Sequence, residues 1–182
     1  LKLIDTTNKN RYRALVALYG VNGIDKALYD KLLQDEDDII RSQTIHMITE
    51  QDISKSTPFS EQFIQMAKND PSSMVRLKLA GASQKRLDDS TALEVIKILS
   101  KQEVDHNDRF IPKMLWFAYS KFAAKDIESA IKLADESPMT LFRKSVYWSL
   151  AKQNMDQFLT KLGQVKNDNH FSEYLLVLTQ VL

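Results

Sequence analysis

The chain has 182 residues, 43% hydrophobic and 27% charged, a balance that fits a folded domain and is too apolar for intrinsic disorder. With 25 Lys and Arg against 24 Asp and Glu the net charge is +1, so no overall field selects nucleic acid or an anionic membrane as partner. The lack of Cys excludes disulfides, thiol nucleophiles and CxxC or CxxCH sites within these residues, and 4 Gly and 4 Pro supply too few turns for a large sheet or a phosphate loop.

In chain order, apolar periodicity predicts helices at about 9–20 and 24–34, the second carrying Ile24, Ala27, Leu28 and Leu32 on one side. Asp35 and Arg41 then open an apolar segment, and a helix is expected over 37–50. Thr57-Pro58 reads as a cap followed by proline at the first helical position, starting a helix over 58–69 with Phe59, Phe63 and Met66 on its stripe. Asp70-Pro71 has the same form. It opens a helix over 71–87 in which Arg76 again follows the Asp by six residues, and 91–101 carries Ala92, Val95, Ile96 and Leu99.

Asp105 continues the series a further 35 residues on, followed by Lys113 rather than Arg, and a helix is expected over 108–122 with Asp108 as its cap. Pro112 fits this scheme less well. Ile127, Ala130, Ile131 and Ala134 mark the helix 125–135, and Asp135 with Arg143 extends the Asp/Arg series more loosely. Ser137-Pro138 opens 138–152, and Met155, Phe158, Leu159 and Leu162 line 155–164. A lone helix from about 170 carries Phe171, Tyr174, Leu175, Leu178 and Leu182 with no cap after it. The chain therefore reads as a single domain, 1–182, excerpted from a longer protein, with a self-associating final helix.

The second-helix stripes begin at positions 24, 59, 92, 127 and 155, a period near 35. Helices this short need neighbours for stability, and stacked pairs provide them. The expected fold is all-α: an α-solenoid of about five helical pairs plus a terminal helix, in which the first helix of each pair is sandwiched and the second has a polar outer face. Arg13 to Leu18 and Met114 to Tyr119 have the density expected of sandwiched helices.

The segments Asp70-Pro71-Ser72-Ser73-Met74-Val75-Arg76 and Asp35-Glu36-Asp37-Asp38-Ile39-Ile40-Arg41 resemble HEAT repeats, in a HEAT/armadillo-like superhelix. The resemblance implies a structural ladder of Asp and Arg between adjacent repeats, here Asp35, Arg41, Asp70, Arg76, Asp105 and Arg143. More specifically, Asp70 to Leu87 and Asp105 to Ala118 are similar to the helical region of large secreted bacterial proteins. In these a propeller related to sugar dehydrogenases precedes the helices and a c-type cytochrome domain often follows. This resemblance implies an exported, periplasmic or extracellular scaffold segment. It transfers no catalytic residue.

Candidate sites are few. Asp105-His106-Asn107-Asp108 gathers possible ligands, but adjacent residues rarely converge on a metal, and an inter-helix turn capped by Asp108 is expected. Asp35 to Asp38 suggests calcium, yet an EF-hand loop starting there needs Gly where Ile40 stands and Glu where His46 stands. His46 is expected to pack within its helix, and His170 has no evident acid or nucleophile partner. His106, Asp108, Arg109, Trp116 and Tyr119 remain as a possible binding surface, with Phe117, Phe122, Tyr147 and Trp148 in nearby aromatic positions. Arg41, Arg76 and Arg143 could form an anion-binding row, but balanced charge favours the ladder.

The expectation is a non-catalytic helical scaffold that positions neighbouring domains of the same chain or binds a protein, with no cofactor, nucleic acid or membrane span. The alternative is the helical module of an exported dehydrogenase-like, cytochrome-containing redox protein whose catalytic and haem sites lie elsewhere. A hydrolase or metalloenzyme finds no motif, since HExxH, GxSxG and a glycine-rich loop are all missing.

Overall fold

A computed structural model describes residues 8–50, 52–164 and 170–181. All regular structure among the described residues is helical. Six helices follow one another in contact: α1 (Asn8–Gly20), α3 (Asp38–Glu50), α6 (Ser73–Ala82), α8 (Ile111–Ala123), α10 (Thr140–Gln153) and α12 (Phe171–Val181). We call these the spine. Between them lie the flanking helices α2 (Lys26–Leu32), α5 (Ser60–Asn69), α7 (Asp89–Leu99), α9 (Ile127–Asp135) and α11 (Met155–Gln164), with one further turn, α4 (Ile53–Ser56). Helix α10 shows the pattern: it packs on α8 and α12 along the spine and on α9 and α11 to the side. No helix of the described residues is long and apolar enough to cross a membrane.

Two kinds of start signal separate the rows. Four of the five flanking helices are capped across a turn, α5 having no side-chain cap: the side chains of Asp25, Asp88, Asp126 and Asn154 accept from the backbone N–H three residues on, at 2.8–3.2 Å. Spine helices begin with a tighter turn, in which Asp37, Asp70, Asp108 and Ser137 accept from the N–H two residues on. This corrects the expected role of the prolines. The extra turn puts Pro71 and Pro138 before their helices, which start at Ser73 and Thr140, and Thr57-Pro58 begins a 3₁₀ turn ahead of α5. Pro112, the one that fitted least, sits in the first turn of α8. Helix α6 also ends at Ala82, short of the expected 87, because the chain turns through 83–86.

One apolar core runs the length of the described chain, from Leu15 to Val177. Its largest members include Phe63, Phe142, Tyr147, Phe158 and Tyr174, all fully buried. The spine helices bury more than one side, α10 enclosing Phe142, Val146, Tyr147, Leu150 and Ala151, whereas α9 buries a single stripe at Ala130, Ile131, Leu133 and Ala134. At the last helix Tyr174 stacks on Tyr147 with ring centroids 4.1 Å apart and packs at a tilt against Phe158 with centroids 5.6 Å apart. Tyr174 is therefore not part of a sticky end, and Leu178 packs against the core, while Leu175 is exposed. Leu182 lies outside the described residues, as does the side chain of Leu162.

Asp88 is the most elaborate cap, because it also bonds across helices. Burial pushes its carboxyl up, but bonds from Ser90, Thr91 and Ser60 outweigh burial and hold its pKa at about 2. The folded value lies below the ~3.9 of an unfolded Asp, so its stabilisation is complete above about pH 4 and is lost as pH falls towards 2. Asp88→Ala should lower stability by about 1 kcal/mol in urea titrations at neutral pH, and by less at pH 3.

Candidate functional site

Buried charge is concentrated where successive spine helices meet. Arg41 donates Nε and Nη2 to the two carboxylate oxygens of Asp70, each at 2.8 Å, and its Nη1 to the carbonyl of Asp35 at 2.7 Å. Arg76 repeats the arrangement one helix later. Its Nε and Nη2 reach Asp105 at 2.5 and 2.7 Å and its Nη1 reaches the Asp70 carbonyl at 2.8 Å. Arg143 grips Glu173 through the same two nitrogens at 2.9 Å, with Nη1 on the carbonyl of Ser137. In each clamp the hydrogen-bonded carboxylate raises the guanidinium pKa against the opposing effect of burial. Arg11 pairs with Asp35 at the start of the series.

This geometry resolves which partners the Asp/Arg spacing specifies. The Asp six residues before each Arg contributes its carbonyl, and the carboxylate comes from the next turn along the chain. Applied strictly, the six-residue offset from Asp105 lands on Ile111, and from Arg143 it lands on Ser137. Both are buried. The Arg is missing from one helix and the acid that would have received it is missing from the next. Ser137 instead donates Oγ to the Ser100 carbonyl at 2.5 Å. Two expectations are thereby corrected. Lys113 is exposed and takes no part, and Asp135 accepts from the hydroxyls of Tyr147 and Tyr174 rather than pairing with Arg143. Arg11 and Glu173 were legible only by applying that offset strictly or by knowing which helices touch.

The residues expected to form a binding surface divide. Asp108 accepts from the N–H groups of Phe110 and Ile111 and caps α8, so its carboxylate is engaged. His106 is exposed, its Nδ1 lying 2.8 Å from the Glu103 carbonyl. Arg109 is exposed and its guanidinium lies 5.4 Å above the Phe110 ring. Trp116 is half-buried against the core. Tyr119 is 4% exposed between Phe122 and Phe142, and burial pushes its hydroxyl up to about 12; it offers no surface. His46 is the reverse case, exposed rather than packed. It falls on the outward stripe Ile39, Gln43, His46, Glu50 of α3, with Nε2 3.7 Å from Glu50. His170 is half-buried and its carbonyl accepts from the N–H groups of Glu173 and Tyr174.

The outward face of the spine is unusual in two respects. Large apolar side chains remain exposed on it, among them Ile39, Met74, Phe117 (57%), Leu141 and Trp148 (40%). Its charge is also one-sided. Setting aside the clamp residues Arg11, Arg41, Arg76, Arg143 and Glu173, the six spine helices contain seven Lys and Arg against Asp38 and Glu50, whereas the five flanking helices hold 6 bases and 7 acids. A groove of about 430 Å³ crosses this face between α3, α6 and α8, bounded by His46, Glu50, Leu77, Lys78, Phe110 and Met114. A cavity of about 470 Å³ lies near α2, walled by Tyr19, Tyr29 and Phe59, but its cation Lys26 is already paired with Asp30 at 2.8 Å. Among the described residues no group of three or more His, Asp or Glu side chains could hold a metal ion.

Comparison with family models, with curated proteins and with solved structures finds no match to this chain.

Removing one partner of a clamp leaves a buried charge unpaired. Arg76→Ala should therefore cost about 3–5 kcal/mol in urea-induced unfolding. The double variant Arg76→Ile with Asp105→Ser copies the pair the chain already has at Ile111 and Ser137. It should recover most of that loss, giving a large coupling in a double-mutant cycle.

Proposed function

We propose that the chain is a non-catalytic α-solenoid of HEAT/armadillo-like type that holds neighbouring domains or protein partners in a set arrangement. The observation that carries this reading is the recurrence of the clamp. Arg41 to Asp70 and Arg76 to Asp105 both span 29 residues, and Arg143 to Glu173 spans 30, each joining successive spine turns or helices. A bond repeated at constant offset sets a constant step between helices, as a stacked superhelix requires. The buried charged side chains Arg41, Arg76, Asp105 and Arg143 are all engaged in this bonding, which favours structure over chemistry for them. In the same reading, the resemblance to exported propeller and cytochrome-containing proteins makes this segment the spacer between such domains.

Photo-crosslinking residues placed singly at exposed spine positions such as Leu141 and Leu175, in the source cells, test the proposal. They should capture another protein, or a distant segment of the same polypeptide, more strongly than the same probes at Lys97 or Glu128 on flanking helices. Equal, background-level capture on both faces would count against a scaffold role. Small-angle scattering of the chain should give an elongated particle that shortens or loosens in the Arg76→Ala variant.

A further inference from the structure

Resting on the scaffold reading, we propose that the groove between α3, α6 and α8 receives an acidic peptide segment bearing one large apolar side chain, supplied by a partner protein. The floor is apolar. Leu77 and Met114 are half-buried there, and Phe110, on the rim, is 51% exposed. A groove of about 430 Å³ is in the size range that encloses a bulky side chain together with its backbone.

The surround is mainly cationic. Lys78 and Arg86 line the groove, and Lys85, Arg109 and Lys113 flank it on the same two helices and their adjoining turns. Among the described residues none of these five has a carboxylate within 4 Å. Three exposed lysines elsewhere do, Lys26 with Asp30, Lys101 with Glu136 and Lys121 with Asp89, whereas Lys68 and Lys97 lie singly on flanking helices that carry acids of their own. Helices α6 and α8 contain no acidic residue at all. Glu50 is the one acid lining the groove. Its carboxylate faces His46, and its carbonyl accepts from Arg86 at 3.4 Å. In a chain of net charge +1 this local excess arises from segregation between faces, and a segment carrying several carboxylates would satisfy it.

The same features favour a peptide over a nucleic acid. Duplex DNA presents about one phosphate per ~1.7 Å, which calls for a dense basic track, whereas here five cations are spread around an apolar floor. An apolar anchor ringed by charge suits a peptide, the anchor supplying affinity and the carboxylates fixing its placement.

The test uses fluorescence anisotropy with a labelled twelve-residue peptide of Glu, Asp and Ser carrying one central Phe. Saturable binding is expected. It should weaken at least tenfold when the peptide Phe becomes Ser, and likewise in the K78E/K113E and Phe110→Ser variants. K97E, on α7, should bind as the parent chain does, and far-UV circular dichroism checks that each variant is folded. Absence of binding, indifference to K78E/K113E or to loss of the Phe, or tighter binding of a single-stranded oligonucleotide would overturn the proposal. The crosslinking test above separates this from the scaffold reading: partners captured on the spine at Leu141 with no acidic-peptide binding at the groove would sink the groove assignment alone.

Discussion

A guanidinium buried between two helices must find a carboxylate, and that requirement orders this structure. Arg76 is 3% exposed and Asp105 2%, so neither can be left to water. The planar fork of Arg meets both oxygens of the acid at once, and a bidentate contact tolerates little sliding or rotation. Such a pair contributes more to specifying register than to net stability, since burial of the two charges offsets much of their attraction. The third nitrogen, on the carbonyl of Asp70, ties the same side chain to the turn before its own helix. Three points of attachment thus locate α3, α6 and α10 relative to the turn behind each and the one ahead. The gap at Ile111 and Ser137 obeys the same rule, because neither partner of the missing clamp remains to be stranded.

Around this frame the chain separates two jobs by helix type. Flanking helices other than α5 start from Asp or Asn caps that span a full turn and bury one stripe, which suffices for an element covered on one side. Spine helices start from tight Asp or Ser turns that hold the clamp carbonyls in place. They bury two sides, and the final one is secured by Tyr147 and Tyr174, both donating to Asp135 at 2.5 and 2.7 Å. Burial and these bonds push the Tyr147 hydroxyl well above its ordinary pKa, in keeping with its role as a donor to Asp135.

Because the polar interior is consumed by structure, the outward spine face is where binding can be sought. Exposed aromatic and aliphatic side chains there lie among lysines and arginines that outnumber the acids of the same helices, while the opposite row of helices is balanced. An overall charge near zero hides this division, as averaging over the chain cancels two faces that differ. Exposed apolar area rimmed by charge is a common mark of a surface that meets another molecule.

The sequence by itself determined the helices, their alternation and the Asp/Arg spacing, because apolar periodicity and capping chemistry are local and act within a few residues. It also placed Asp108 as a cap. What only the tertiary structure decided was pairing and exposure: that Arg41 reaches forward to Asp70, that Arg143 takes Glu173 and leaves Asp135 to two tyrosines, that Tyr119 is enclosed and His46 is not. These depend on the distance and rotation between helices some 30 residues apart, quantities set by how side chains interlock and not by any single helix. The groove at Leu77 and Met114 belongs to the same class, since three helices must be in place before it exists.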